Sequence, residues 1–514
     1  MAGRLGDRPR GELAAYAVLV ALALALRLID LGSRPFHHDE SQDAYFSWVL
    51  FSKGDYRYQP ILHGPLRFYM TTGVYALLGA SDFTARLAPA LMGTAMVALP
   101  YGLRRQLGRA GAFAAALLLA VGPSYLYFSR FAREDIYIAA ITLALLVAVF
   151  RGLDSPQRWH PALIGALLAA SFATKESTFI TVFVAGSFFL ALVAREGRDA
   201  PTLRTAASLG WEAWGWGVAA FVAVFTLLFT VFLTNPAGLW DGIYEGLHYW
   251  LGQQPVGRGG EPAYYYVVVL FAHEWPVLAL GAVGAVVAFR RPTVLRAFLV
   301  WAFALSLAVY SWAGEKFPWL VLHPLLPLVL LAGLGVQALW EARRRPAGRA
   351  GLAVTALAAV YVGVASWYAN VEHRADPREF LVSTQSSEQV PRVADEVLSL
   401  ARRRRGLTIT VDAADGATFP WAWYFRDLPV GYVDLSRVAV PPGSDVLIMT
   451  EPNRERLQGG LPGYAQRRFP FRVWWVRDFG GQSPANWARW FVSRRTWNRT
   501  GGLPEWLLVK RGAA

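Results

Sequence analysis

Apolar runs long enough to cross a membrane recur along most of this 514-residue chain. A hydrocarbon core of about 30 Å is spanned by roughly 20 apolar residues in helical form. Runs of this kind fall near residues 12–31, 83–103, 110–128, 133–150, 159–174, 177–194, 214–234, 273–290, 296–312, 319–341 and 349–368. They predict about eleven crossings. The first, Leu13–Ile29, is too long and too poorly bounded for a signal peptide and no small-residue cleavage site follows it, so it is expected to remain as a helix. Leu66–Leu78 is apolar but short, and counting it as a crossing would invert every later loop. It is expected to lie at the outer surface as an interfacial or re-entrant helix. Ala263–Phe271, with its Tyr264-Tyr265-Tyr266 run, reads as a second interfacial segment, since Tyr favours the membrane–water boundary.

From about Glu372 the apolar stretches shorten and turn signals appear at Asp415-Gly416, Pro441-Pro442-Gly443 and Gly459-Gly460. Pro391–Arg402 has the pattern of a helix with one apolar face, while Leu407–Val411, Asp445–Met449 and Arg472–Val476 read as short strands. The fold class that follows is an α-helical polytopic membrane protein with a small C-terminal α/β domain. Residues 1–370 form the transmembrane part and 371–514 the appended domain, large enough to hold its own core. No internal or inverted repeat of the kind found in transporter folds is visible.

Composition agrees: 55% of residues are hydrophobic and 17% charged, against about 25% charged in soluble domains. The net charge of +14 would suggest nucleic acid were it not for its placement. Arginines gather in alternate loops: Arg4, Arg8 and Arg10; Arg104, Arg105 and Arg109; Arg151 and Arg158; Arg195, Arg198 and Arg204; Arg290, Arg291 and Arg296; Arg343, Arg344, Arg345 and Arg349. This is the bias of cytoplasmic loops. It sets the N-terminus in the cytoplasm and everything beyond Trp367 outside, including the C-terminal domain. The partners implied are membrane lipids, not nucleic acid. With no cysteine in the chain, disulfides and thiolate metal sites are ruled out.

The loops on the expected outer side carry the chemistry. His37-His38-Asp39-Glu40 follows the first crossing, and Ser129-Arg130-Phe131-Ala132-Arg133-Glu134-Asp135 joins the third and fourth. Charged groups at a membrane face are costly unless paired or functional. Arg130 and Arg133 would clamp a phosphate through charge-assisted hydrogen bonds, and mutual Arg–Asp pairing is the plainer alternative. Lysine is rare, at Lys53, Lys175, Lys316 and Lys510 only. Lys175 and Lys316 fall in outer turns, where a compact ammonium suits a phosphate or a proton-linked role; the alternative is that each lies beside its neighbouring glutamate. His63, His248 and His273 share that side, which makes Glu40, His63 and His248 candidate ligands for a divalent metal.

These residues resemble a family. Phe36-His37-His38-Asp39-Glu40 is similar to the acidic-pair motif of membrane glycosyltransferases of the GT-C superfamily. Ile61-Leu62-His63-Gly64-Pro65-Leu66 resembles the His-Pro-Pro-Leu region of protein O-mannosyltransferases. Ala173-Thr174-Lys175 and Lys316-Phe317-Pro318-Trp319 resemble segments of the lipid A aminoarabinose transferases. The resemblance covers about residues 12–340, and it is nearest to the prokaryotic branch labelled flippase activity-associated. It implies inverting transfer of a sugar from a polyprenyl-phosphate donor to a lipid, glycan or protein acceptor at the extracytoplasmic face. Asp39 would be the general base, Glu40 its orienting partner or a metal ligand, and Asp135 a holder of acceptor or metal. Lys175, Lys316, Arg130, Arg133 and His63 would bind substrate.

The match has departures. The aminoarabinose transferases place an arginine where this chain has Gln42, and a glutamate where it has His63. Trp474-Trp475 is followed by Val476 rather than by the Asp of the oligosaccharyltransferase motif. Two other functions stay open: a lipid-linked sugar translocator, and a non-catalytic subunit of an envelope glycan assembly system. A translocator would need ionisable groups near the bilayer midplane, and here Arg27 and Asp30 alone lie late in a crossing.

Overall fold

The computed structural model describes residues 10–197, 200–253 and 256–512. Arg4, Arg8 and Arg198 of the arginine pattern lie outside these. Among the described residues, nine helices are long and apolar enough to cross a membrane, from α1 (Arg10–Leu28) to Pro346–Glu372. The two remaining expected crossings are also helical. Arg109–Val121 and Pro123–Ser129 form one element bent by 53°, and His160–Phe172 is apolar but only 13 residues long. The bend has a local cause. Pro123 has no amide hydrogen and restarts the helix at its first position, and the freed amide of Ser124 donates to the Glu274 carboxylate at 3.0 Å.

The structure adds one helix and places two expected segments. His38–Lys53 forms a helix, α2, that sequence patterning did not reveal. Its first six residues are polar and the apolar run that follows, Ala44–Phe51, is short and broken by Ser47, so it lacks the signature of a crossing. Leu66–Leu78 is a helix, α3, with the expected bounds. Ala263–Phe271 falls on the first part of the Tyr265–Arg290 helix, which is two helical pieces joined across a kink. His273 and Glu274 break the apolar run in the sequence, but both side chains are buried in protein, so the helix passes through them with a non-helical residue at Glu274 ahead of Pro276.

Pro318–Glu341 is the central helix, buried along most of its length. Tyr265–Arg290 crosses it closely at Gly284, where a Cβ would lie 1.8 Å from the Leu331 carbonyl oxygen. Small residues at such crossings let helices approach where lipid removes the hydrophobic drive to associate.

The C-terminal part is a six-stranded mixed sheet in the order β1-β5-β6-β4-β2-β3. The strands are β1 (Gln385–Ser386), β2 (Ile409–Asp412), β3 (Val430–Val433), β4 (Val446–Thr450), β5 (Tyr464–Trp474) and β6 (Gly501–Lys510). β2 runs parallel to β3 and β4, and the other pairs are antiparallel. The helix Gln389–Arg403 packs Val390, Val393 and Val397 against one face. The expected strand at Arg472–Val476 is only the tail of β5. β3 and β6 escaped notice because glycines and a proline interrupt them (Gly431; Gly501, Gly502 and Pro504).

The sheet domain is seated on the loops at one end of the bundle. Trp423 packs edge-on to Phe36 and donates to Asp82 at 2.9 Å. Gln385 donates to the Pro35 carbonyl at 2.8 Å, and Arg477 pairs with Glu261 at 2.6 Å. The same loops carry the candidate site.

Candidate functional site

The acidic pair lies in the first turn of α2, and its two carboxylates face different surroundings. The His37 ring nitrogen Nδ1 accepts the Asp39 amide at 3.0 Å, while Glu40 accepts the His37 amide at 3.2 Å. This reciprocal cap satisfies two of the free amides at the helix start. Glu40 is wholly buried. It pairs with Arg86 through Nε at 2.8 Å and with Arg34 at 3.2 Å, and it accepts the Ala132 amide at 2.9 Å. Burial opposes its charge, but Arg34 and Arg86 outweigh that and hold the carboxyl at about 2, well below the ordinary 4.5. With its lone pairs taken by guanidiniums and amides, Glu40 is neither a free base nor a metal ligand. It anchors α2 to the bundle.

Asp39 is different. Its side chain is 28% exposed, and one carboxylate oxygen is ion-paired with Arg133. The Arg133 guanidinium lies 4.1 Å from the centre of the Trp319 ring, so the Lys316-Phe317-Pro318-Trp319 segment forms the wall beside Asp39. On the other side, His38 contacts Arg472 of the sheet domain at 2.9 Å and the Gln42 amide at 3.1 Å. Burial, and then Arg472, lower the His38 ring to about 4, so it is neutral near pH 7. Gln42 therefore packs against His38, where the aminoarabinose transferases carry a cation.

Arg133 leads into a buried charge network. It pairs with Asp135 at 3.2 Å and Glu134 at 3.3 Å. Lys175 sits between the same two acids, 2.9 Å from each. Glu134 also accepts from Arg67 at 2.7 Å, and Arg67 pairs with Asp43 of α2 at 2.8 Å. Burial penalises the Glu134 carboxylate, yet Arg133, Lys175 and Arg67 together hold its pKa far below normal. Burial likewise opposes the Lys175 ammonium, and Asp135 and Glu134 raise its pKa above the usual lysine value. Lys175 thus pairs across the fold rather than with its neighbour Glu176.

Backbone contacts bring two of the sequence motifs together. The Gly64 amide donates to the Thr174 carbonyl at 3.1 Å and the Leu66 amide to Ala173 at 2.8 Å. The approach needs glycine, because a Cβ at Gly64 would stand 2.2 Å from the Ala173 carbonyl. His63, at φ 59°, is aimed at Glu176 (2.7 Å) and Glu134 (3.5 Å). Burial opposes its protonation, but those two acids raise its pKa above 6.5.

Lys316 is the exception among these cations. Its ammonium donates to the Ala313 carbonyl, and among the described residues no carboxylate lies within ion-pair distance. Burial lowers its pKa. Beside the network opens an apolar cavity of about 330 Å³ between the helices Asp135–Asp154, His160–Phe172, Thr178–Glu196, Val294–Trp312 and Pro318–Glu341. Its polar end is formed by Ser306, Tyr310 and His323, and His323 Nε2 is 3.8 Å from Asp135. A second cavity of about 280 Å³ shares Val149, Ile164 and Phe189 with it and continues to Trp214.

Several expected roles do not survive this geometry. Arg130 donates through one guanidinium nitrogen to the carbonyls of Leu26 (2.7 Å) and Arg27 (3.3 Å), so it caps the C-terminus of α1. Glu40, His63 and His248 do not converge. Glu40 is caged by Arg34 and Arg86, His63 is held by Glu176 and Glu134, and His248 stacks on Tyr244 in a separate loop helix, Gly246–Gln253. Among the described residues no group of three His, Asp or Glu side chains is arranged to hold a metal, so the metal set read from sequence is not assembled. Asp135 has both oxygens engaged by Lys175 and Arg133 and orients those cations. Sequence reasoning passed over Glu134, Arg67 and Arg86. Glu134 stood in the quoted loop, and its position beside Asp135 was the one available signal.

Residues 62–211 match the family described as dolichyl-phosphate-mannose-protein mannosyltransferase. Among solved structures, the chain is similar to ArnT from Cupriavidus metallidurans bound to undecaprenyl phosphate, with a TM-score of 0.64 and 17% identity over 97% of this chain and 98% of that one. It is also similar to the Archaeoglobus fulgidus oligosaccharyltransferase (TM-score 0.53, 13% identity, 81% of this chain and 60% of that one). Mycobacterial arabinofuranosyltransferase AftD matches with a TM-score of 0.52 and 15% identity over 98% of this chain and 40% of that one. No curated protein sequence matches the chain. These three share the GT-C fold, and so does this integral membrane protein.

Proposed function

We propose, from a chain with the fold of the GT-C membrane glycosyltransferases, that it transfers a sugar from a polyprenyl-phosphate donor to an acceptor hydroxyl at the extracytoplasmic face, with inversion at the sugar carbon. The observation that carries this reading is the half-open Asp39 carboxylate, held by Arg133 beside a cation array at the polar end of an apolar cavity. The similarity to ArnT, whose structure holds undecaprenyl phosphate, supports a donor of that chemistry.

The prenyl tail lies in the cavity between Thr178–Glu196 and Pro318–Glu341, and the second cavity extends the path toward Trp214. The phosphate meets Lys316, Lys175 and Arg133. Asp39 accepts the proton of the acceptor hydroxyl as its oxygen attacks the anomeric carbon. The bond from that carbon to the phosphate oxygen breaks with its electron pair, and polyprenyl phosphate leaves. Charge grows on the leaving phosphate, so fixed cations there act mainly in the transition state. Glu134, Asp135 and His63 hold Lys175 and Arg133 in place and are positioning residues.

The test uses purified protein in liposomes with a polyprenyl-phosphate hexose. Release of free polyprenyl phosphate that depends on added acceptor supports transfer. Movement of intact donor between leaflets without cleavage would instead show a translocator.

A further inference from the structure

The arginine-rich end of the bundle contains a pocket that the topology reading treats only as charge. A cavity of about 380 Å³ opens where the helices Tyr265–Arg290, Val294–Trp312 and Pro318–Glu341 end or begin. Arg290, Arg291, Arg296, Arg344 and Arg345 line it, with Glu341 as the one carboxylate. Five guanidiniums against one acid leave the pocket strongly positive. Arg291 meets Glu341 only loosely, at 3.8 Å, and Glu341 also accepts from Gln337 at 3.0 Å. Arg296 spends one nitrogen on the Arg291 carbonyl at 2.9 Å, and its Nε is buried without a partner. Among the described residues, the side chains of Arg290, Arg344 and Arg345 meet no acceptor at all. The inner wall is apolar, with Val287 and Leu334.

We propose that this pocket binds the phosphate of an anionic membrane phospholipid, the headgroup among the arginines and an acyl chain along Val287 and Leu334. Helix ends set in a bilayer place the pocket at headgroup depth, and basic pockets between helices there suit lipid phosphates. Guanidiniums pair with phosphate oxygens bidentately, which a scatter of loop charges would not require. The pocket is remote from the transfer site: Trp319 at the site and Leu334 in the pocket wall stand fifteen residues apart on Pro318–Glu341, about 22 Å at 1.5 Å per residue. It therefore stands whether or not the transferase reading does.

The experiment is native mass spectrometry of the full chain, delipidated and re-equilibrated with phosphatidylcholine containing a minor share of phosphatidylglycerol. The wild type should retain one phosphatidylglycerol. The Arg290→Gln/Arg345→Gln double variant should lose that retention by at least about tenfold, taking roughly 1 kcal/mol per basic residue near an anionic surface. Arg402→Gln, exposed on the sheet domain, should retain it. Equal retention by the double variant, or equal retention of phosphatidylcholine by the wild type, overturns the proposal. A thermal-shift arm with inorganic phosphate and no anionic lipid separates the two sources of phosphate. Stabilisation there equal to that by phosphatidylglycerol would assign the pocket to the free ion and overturn the lipid reading. If the double variant does not fold, Arg344→Gln/Arg345→Gln in the exposed turn takes its place with the same readouts.

Discussion

Adjacent residues in one motif have different tasks here, and exposure divides them. Asp39 is part open and Glu40 wholly buried, which sequence cannot tell apart because the distinction is made by Arg34, Arg86 and Ala132 from three other segments. Glu40→Gln should destabilise the protein by about 3–5 kcal/mol, because breaking one side of a buried ion pair strands the other charges. Thermal unfolding in detergent reads this, and an unchanged Tm would refute the anchoring role. The same pairing makes stability acid-sensitive. Glu40 titrates near 4.5 when unfolded and about 2 when folded, so its contribution is complete above about 4.5 and is lost as pH falls toward 2. Lys316 offers the complementary test. It has no carboxylate to strand, so Lys316→Ala should leave stability within about 0.5 kcal/mol of wild type while weakening binding of a polyprenyl phosphate several-fold. Lys316 stood out through the rarity of lysine; the capping role of Arg130 did not, since the α1 carbonyls it serves are a hundred residues away in the chain.

At the scale of elements, the crossings were readable because lipid demands long apolar runs, and every expected run falls on a helix. α2 was not readable because it lies against protein and carries a mixed face. Tyr265–Arg290 was divided in the sequence at His273 and Glu274, and the helix is kinked there although the fold buries both side chains. The joint between the His63-Gly64-Pro65 turn and the Ala173–Lys175 turn is where two motifs become one site. Gly64→Ala should force them apart, costing about 1–3 kcal/mol as an overpacked contact does, and should lower transfer more than Tm alone accounts for. Transfer that falls only in step with Tm would refute that coupling. The contact of His38 with Arg472 makes a second joint, between bundle and sheet. His38 is near 6.5 when free and about 4 in the fold. Its contribution is complete above 6.5 and fades as pH drops toward 4, so limited proteolysis should cut the sheet domain away faster at pH 4.5 than at pH 7.5. His38→Gln should flatten that dependence; an unaltered pH profile would contradict the role.

At the scale of the molecule, the proposed chemistry requires the α2 loop, the Lys175 turn and the sheet domain to share the extracytoplasmic side. The absence of native cysteine makes this accessible to labelling. Gln42→Cys and Asp415→Cys should react with an impermeant thiol reagent from outside the cell, and Arg344→Cys only after the membrane is opened. The reverse pattern would invert the topology. The central claim is that Asp39 removes a proton from the acceptor while the cations beside it take the leaving phosphate. Asp39→Asn keeps the size and much of the hydrogen bonding of the side chain and removes the proton acceptor. A general base contributes on the order of 10²–10⁴-fold in rate. Transfer from a defined polyprenyl-phosphate sugar, measured alongside donor affinity, should therefore fall by that factor in Asp39→Asn with donor binding and Tm nearly unchanged; turnover close to wild type would contradict the account.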